Sequence, residues 1–479
     1  MANRPEVAGD LAACTATEIA RLVGAREASP VEVAQAALDR IDTVNDPINA
    51  VVTINEHLLD EARSLEKTLS AGGVPGPLCG VPVGIKDVTP VAGIRTTYGS
   101  PLFANHIPDE DALVVERLKA AGALIVGKTN TPEFAAGANT YNKLFGRTRN
   151  PWNRELSAGG STGGGAAALA SGMIAIAEGT DLGGSLRIPA SFCGLVGIRP
   201  SSGLVPAWPT NWLWDDLSVT GPIARNAEDA ALALSVMSGQ DPRLPMCQST
   251  VGKDFVGDTA SLQLDGLRLA YSHDVAGIGV DKEIEECCRN SALGLIDGGA
   301  TVDPMDVDLS EGRKAFLHLR GLWFVSHMHE HLDRLSEMGE NVRGNVEAGL
   351  KLTTEQLAWA NAARGRMWSF FEEFFRRYDF LLTPTTAISP FPVTQNHPDK
   401  VGGQQMKTYI DWFAPTFLLS LTGLPVASVP CGLDPEGLPV GLQVVGPPGG
   451  EGRVLGLCAR IQEAHPIGGP DLDALVNPL

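Results

Sequence analysis

The stretch SAGGSTGGGAAALASGMIAIAEGTDLGGSLRIP, residues 157–189, decides the fold and carries two serines flanked by glycines, Ser161 and Ser185. Good helix formers at 166–170 predict a short helix between the serines, and the apolar run at 174–177 predicts a buried strand. The glycines let backbone approach a ligand closely, and the N–H groups at 182–185 could form a nest for an anion. A hydroxyl beside such a nest is what acyl transfer requires, although two glycine-rich loops of an ordinary α/β fold would show the same spacing.

Of three known glycine motifs, two do not fit this stretch and one does. The P-loop fails because Ala166 follows Gly165 where a lysine is needed, and the dinucleotide fingerprint fails because no strand is predicted before the glycines. The nucleophile elbow G-x-S-x-G does fit residues 159–163. An α/β-hydrolase-type esterase that uses Ser161 is therefore an alternative, but the elbow requires a preceding strand and residues 149–155 are predicted to be a loop.

Composition limits the class of protein. The chain has 479 residues, of which 44% are hydrophobic, so it can bury a large core. A net charge of −19 argues against nucleic acid as a partner. The chain shows neither an apolar run of membrane-spanning length nor a secretory leader, so we expect a soluble, cytoplasmic protein.

Cysteines and histidines are the candidate metal ligands of this chain. The eight cysteines form no C-x-x-C pair, which gives no support to a zinc or thioredoxin-like site. His318, His327, His329 and His331 crowd one predicted helix, and His327 and His331 would share a face at i, i+4. Because the H-E-x-x-H order is missing, we predict no metal and no cofactor.

The serine region resembles a known family, the amidase signature hydrolases. The resemblance rests on GGSTGGGAAALASG, on AEGTDLGGSLRIPASFCGLVGIRPS, on the lysine motif GVPVGIKD at 80–87, and on GLPVASVPCG and LPVGLQVVGPP near the C-terminus. It covers about 75–235 and 375–465. It implies an α/β fold: one amidase-signature domain over 1–479, whose mixed central β-sheet is covered by helices on both faces.

Two segments match the family less well. Residues 1–65 are expected to form an N-terminal helical layer, and about 240–375 a variable helical segment that covers the substrate. The helix and strand predicted at 111–126, before another predicted helix, favour α/β units over a largely parallel sheet.

The resemblance implies a Ser–cis-Ser–Lys triad. Ser185 resembles the nucleophile, Ser161 the bridging serine that follows a cis peptide bond, and Lys86 the base. From the residues alone, a lysine that ends a buried strand would better suit a salt bridge with Asp87 or another carboxylate, and the resemblance reverses this preference. The oxyanion would be held by the backbone N–H groups of Leu182, Gly183, Gly184 and Ser185, with Asp181, Arg187 and Thr162 as supporting residues.

The substrate is less well defined. Trp208, Trp212 and Trp214 lie in one proline-containing loop and could frame a pocket mouth or simply pack the loop. The resemblance implies a small-molecule amide or carbamate substrate, such as an aryl acylamide, a urethane or a small amide, with neither nucleic acid nor a membrane as partner. A homodimer is left open. The alternative function is the glutamine-hydrolysing component of a tRNA-dependent amidotransferase complex.

Overall fold

The structure is a computed structural model that describes residues 10–476. The helices are α1 (Ala16–Gly24), α2 (Pro30–Ile48), α3 (Leu58–Ser70), α4 (Leu113–Ala120), α5 (Gly163–Ala170), α6 (Arg187–Cys193), α7 (Ala227–Met237), α8 (Phe255–Ser261), α9 (Lys282–Gly294), α10 (Gly312–Met328), α11 (Glu340–Gly349), α12 (Thr354–Phe374), α13 (Ala414–Ser420), α14 (Glu451–Ala464) and α15 (Leu472–Val476). Three of them begin at a capping box, formed by Thr15, Ser29 and Thr353 at the starts of α1, α2 and α12.

The strands form one large sheet and three two-stranded sheets. They are β1 (Val51–Ile54), β2 (Pro82–Lys86), β3 (Leu124–Thr129), β4 (Tyr141–Asn142), β5 (Gly146–Arg147), β6 (Arg149–Asn150), β7 (Asn153–Ser157), β8 (Ile176–Asp181), β9 (Val196–Arg199), β10 (Val219–Ala224), β11 (Arg268–Tyr271), β12 (Thr301–Pro304), β13 (Phe380–Pro384), β14 (Lys400–Val401), β15 (Gln404–Gln405), β16 (Val426–Leu433) and β17 (Pro439–Val445). The large sheet has 11 strands in the order β1-β3-β2-β8-β10-β9-β16-β17-β13-β11-β12.

This central sheet is mixed, as the resemblance implies. β2 pairs in parallel with β3 and β8, and β11 with β12 and β13. The other six neighbouring pairs are antiparallel, so the expectation of a largely parallel sheet holds only locally. The reason lies in the centre of the sheet, where each strand is antiparallel to its neighbour in the order β10-β9-β16-β17. Antiparallel neighbours need no helical crossover between them.

Helices pack on both faces of the sheet. Side chains alternate along a strand, and in β8 Ile176 joins the apolar cluster that contains α7 residues such as Leu234. The next residue, Ala177, joins a different cluster with Leu169 of α5. The strand is therefore buried on both sides, which makes a charged side chain within it costly unless it has partners.

Three segments differ from expectation. The predicted loop at 149–155 contains β6 and the first part of β7, whose polar sequences pair locally and give no apolar signal. The N-terminal layer includes the edge strand β1, and the segment 240–375 adds β11 and β12 to the other edge of the sheet. Within residues 10–476, no helix has the length and apolar character needed to cross a bilayer.

Candidate active site

Two parallel strands bring the predicted lysine and the serine loops together. β2 ends at Lys86 and β8 ends at Asp181, and these carboxyl ends lie at the same edge of the sheet. Lys86 is fully buried. Its Nζ lies 2.7 Å from Ser161 Oγ and 2.9 Å from Thr180 Oγ1. The lysine amine is thus held against one of the two predicted serines.

Burial dominates the protonation of Lys86. Desolvation lowers its pKa to about 7, although the nearby carboxylates of Glu178 and Asp181 favour the charged form. Asp87, the alternative salt-bridge partner, instead accepts hydrogen bonds from the backbone N–H of Thr97, at 3.1 Å, and from its hydroxyl. A substantial neutral fraction of Lys86 is therefore present near pH 7.

The two serine loops are joined to each other. The peptide bond between Gly160 and Ser161 is cis, as the resemblance implies. Ser161 is fully buried, whereas Ser185 is partly exposed. The backbone N–H of Thr162 donates to the carbonyl oxygen of Ser185 at 3.2 Å. This bond fixes the loop of the exposed serine against the loop of the buried one.

Asp181 organises the loop that carries Ser185. Its carboxylate accepts hydrogen bonds from the N–H of Gly184 at 2.7 Å, from the N–H of Leu186 at 3.2 Å, and from two nitrogens of Arg187 at 3.0 Å each. Arg187 and Arg199 hold the pKa of Asp181 well below its usual range. Gly184 has φ of +126°, where a side chain would be strained.

The same contacts correct one predicted oxyanion donor. Because the N–H of Gly184 already donates to Asp181, its assignment to the oxyanion is wrong for this conformation. Among residues 10–476, the backbone N–H groups of Leu182, Gly183 and Ser185 have no such acceptor. These three remain as candidate donors.

Arg187 extends the support into the C-terminal part of the chain. It donates to Gln443 Oε1 and the carbonyl oxygen of Thr416, both at 2.9 Å, and to Ser420 Oγ at 2.7 Å. Arg199 donates to the carbonyl oxygen of Asp181. Distant segments of sequence thus hold the Ser185 loop in place.

Sequence reasoning missed two buried charged residues beside Lys86. Lys128 in β3 donates to Thr96 Oγ1 at 3.0 Å and to the carbonyl oxygen of Thr89, and burial lowers its pKa to about 8. Glu178 in β8 accepts from the N–H of Lys86 at 3.1 Å and from Thr89 Oγ1 at 2.9 Å, and burial raises its pKa. A charged residue inside an apolar strand was the available signal for both, as it was for Lys86.

A cavity of about 500 Å³ adjoins this network through Thr180, whose hydroxyl contacts Lys86. Its walls are mainly apolar and aromatic, and they include Trp208 and Trp212 from the predicted tryptophan loop. Trp214 lies outside the cavity and is 62% exposed, so its assignment to the pocket is wrong. Trp214 stays exposed while its neighbour Trp212 turns inward.

The histidine cluster also differs from expectation. Helix α10 ends at Met328, and His331 lies beyond it at a kink with φ of −126°, so His327 and His331 do not share one regular helix. Both line the cavity. His318 instead lies 3.2 Å from the carbonyl oxygen of Gln356. Within residues 10–476, no three His, Cys, Asp or Glu side chains are grouped so that they could hold a metal ion.

The chain is similar over most of its length to known proteins. Residues 32–455 match the model of the family described as Amidase. The chain is 36% identical over 463 residues to an acylamidase of Rhodococcus erythropolis, covering 94% of this chain and 95% of that protein. It is also 36% identical over 468 residues to a glutamyl-tRNA(Gln) amidotransferase subunit from Carboxydothermus hydrogenoformans, covering 92% and 95%. The crystal structure of a bacterial aryl acylamidase of the amidase signature family superimposes with a TM-score of 0.90 at 28% identity, covering 97% of this chain and 99% of that one.

Proposed function

The chain belongs to the amidase signature family and is an amide-hydrolysing enzyme, and from that premise we propose that it hydrolyses aryl acylamides, or carbamates of similar shape, through an acyl-enzyme on Ser185. The observation that carries this proposal is the aromatic cavity that reaches Thr180, one hydrogen bond from Lys86. An aromatic ring buries apolar surface favourably in such walls.

The proposed proton path begins at Lys86. In its neutral form, the amine accepts the proton of Ser161, and Ser161 accepts the proton of Ser185 as Ser185 attacks the acyl carbon. The 2.7 Å separation of Lys86 Nζ and Ser161 Oγ suits the first transfer. Ser161 then returns the proton to the leaving nitrogen, and water hydrolyses the acyl-enzyme.

The negative charge on the reacting oxygen also needs donors. We assign this role to the backbone N–H groups of Leu182, Gly183 and Ser185, while Asp181 holds the loop through Gly184 and Arg187. No step in this scheme calls for a metal or a cofactor.

The amidotransferase alternative predicts glutamine as the substrate. The α-carboxylate of glutamine would be recognised best by Arg or Lys. Among the described residues that line the cavity there is no Arg or Lys, and large aromatic side chains occupy much of the wall. This composition favours an aryl substrate over glutamine.

The esterase alternative that uses Ser161 is disfavoured by the contacts of that serine. Ser161 is fully buried, and its Oγ lies against Lys86 and not against a histidine. The strand before it, β7, belongs to a two-stranded sheet outside the central one. The elbow motif needs an exposed serine, a histidine partner, and a strand of the central sheet directly before the serine.

A hydrolysis screen with the purified chain tests the proposal. It should include 4-nitroacetanilide, an aryl carbamate, acetamide, a phenyl ester and glutamine. We expect turnover of the anilide or the carbamate by the isolated chain. Turnover of glutamine alone, or activity that requires the other components of an amidotransferase complex, would contradict the proposal.

A further inference from the structure

Two polar side chains stand out on the aromatic wall of the cavity. Asp215 comes from the tryptophan loop and His327 from α10, and both line the cavity. Their side chains are only 15% and 20% exposed, respectively. His327 Nε2 lies 4.0 Å from Asp215 Oδ2, beyond hydrogen-bond distance.

The contacts of His327 fix its tautomer. Its Nδ1 lies 2.9 Å from the carbonyl oxygen of Trp323. A carbonyl oxygen only accepts, so Nδ1 carries the hydrogen and Nε2 of the neutral ring is an acceptor. The ring also stacks on the indole of Trp323, with centroids 3.9 Å apart. Burial lowers the pKa of His327, which favours the neutral ring at pH 7.

The contacts of Asp215 fix its carboxylate. Oδ1 accepts from the N–H groups of Leu217 at 2.9 Å and Ser218 at 3.1 Å. Oδ2 accepts from the indole N–H of Trp323 at 2.7 Å and keeps a second lone pair. The wall therefore presents two neighbouring acceptors, Asp215 Oδ2 and His327 Nε2.

We propose that His327 and Asp215 form a specificity site that selects substrates whose aromatic ring carries a hydrogen-bond donor, a hydroxyl or an amino group. A hydroxyl can donate its one hydrogen to either acceptor and an amino group can donate to both, whereas a ring without a donor leaves His327 Nε2 unpaired and Asp215 Oδ2 with only its bond from Trp323. The inference rests on the proposed function, because it assumes that the substrate ring enters this cavity.

The other titratable side chains in the cavity have different surroundings. His331 packs edge-on against Phe103, with centroids 5.5 Å apart. His106 stacks on Tyr98 at 6.1 Å. Among residues 10–476, neither of these rings has a carboxylate within 4.0 Å as His327 has in Asp215, so the donor preference is assigned to His327 and Asp215.

A matched pair of substrates tests the inference. 4-Hydroxyacetanilide and 4-methoxyacetanilide donate electrons to the ring to a similar extent, but the methoxy group has no hydrogen to donate. We expect the native enzyme to prefer the hydroxy compound in kcat/KM by about ten-fold, in the range that one hydrogen bond provides. His327→Phe keeps a ring to stack on Trp323 but removes one of the two acceptors and leaves Asp215 in place, so the preference should fall clearly below the native value. His329→Phe, an exposed histidine outside the cavity, is the matched control and should keep the preference.

Dissociation constants on a Ser185→Ala background separate this inference from the proposed function. If neither anilide is hydrolysed or bound, the proposed function fails. Equal kcat/KM values and equal dissociation constants for the two anilides with native His327 would overturn the specificity site alone. So would a preference that stays at the native value in both His327→Phe and His327→Met, where the second variant guards against misfolding of the first.

Discussion

Lys86 Nζ lies 2.7 Å from Ser161 Oγ, and both residues are fully buried. The pair joins the end of β2 to a loop 75 residues further along the chain. Ser185 is partly exposed and is therefore the accessible serine of the two. Its carbonyl oxygen accepts a hydrogen bond from the backbone N–H of Thr162, which follows Ser161. A buried base and an accessible nucleophile are what an acyl-transfer site with a serine relay needs.

The first prediction concerns the nucleophile. Ser185→Ala should abolish hydrolysis and labelling by a serine-directed phosphonofluoridate, because it removes the proposed nucleophilic hydroxyl. Mass spectrometry of the labelled enzyme locates the modified serine. Ser235→Ala is the control, since Ser235 is exposed on α7 and bonds only locally. Label on Ser161 of an active enzyme would contradict the assignment.

The second prediction concerns pH. The neutral form of Lys86 is the active one, so kcat/KM should rise with pH through a midpoint near 7, where its pKa lies, and level off above. Glu178→Gln removes a carboxylate that favours the charged amine, so the midpoint should move to lower pH. A shift to higher pH would be inconsistent with this electrostatic account. Glu116→Gln, which alters a surface pair with Arg243, should leave the midpoint in place.

The third prediction concerns the cavity. Trp212→Ala removes part of an aromatic wall, so KM for 4-nitroacetanilide should rise by at least several-fold and more than KM for acetamide. Trp214→Ala is the matched control, because Trp214 is 62% exposed and lies outside the cavity. Steady-state kinetics on both substrates make the comparison. Equal changes for both substrates in Trp212→Ala would mean that this residue only packs the loop.

The fourth prediction concerns stability. Asp181→Asn leaves Arg187 and Arg199 buried without their carboxylate, and breaking such a pair should cost about 3–5 kcal/mol in the free energy of unfolding. Urea denaturation measures the loss. Glu372→Gln breaks an exposed pair with Arg376 and should cost less than about 1 kcal/mol. Similar losses for the two variants would show that Asp181 is not the anchor of the loop.

Much of the fold and the site was predictable from sequence. The gapless serine blocks predicted both glycine-rich loops, and the apolar run before Lys86 predicted a strand that ends at this residue. The family and the single domain with a mixed sheet are confirmed. These features were predictable because their signals lie within short, continuous segments.

Other features depend on contacts between distant segments. Lys128 and Glu178 are fully buried. A charged residue in an apolar strand is a local signal for each of them, but their burial depends on helices from other parts of the chain that cover both faces of the sheet. The cavity wall combines the loop of Trp212 with the end of α10, more than 100 residues apart, so the roles of Asp215 and His327 were missed. The direction of the Asp181 carboxylate decides which N–H groups stay free, and sequence spacing does not contain it.

The central claim is that Lys86 acts as a base and not as a structural cation. The activity of a folded Lys86→Arg enzyme tests it most directly. A guanidinium stays charged at every accessible pH and cannot accept the Ser161 proton. In Lys86→Arg enzyme that circular dichroism shows to be folded, we predict kcat reduced by at least about 10²–10⁴-fold at all pH values. A folded Lys86→Arg enzyme with near-native kcat would contradict the proposed triad.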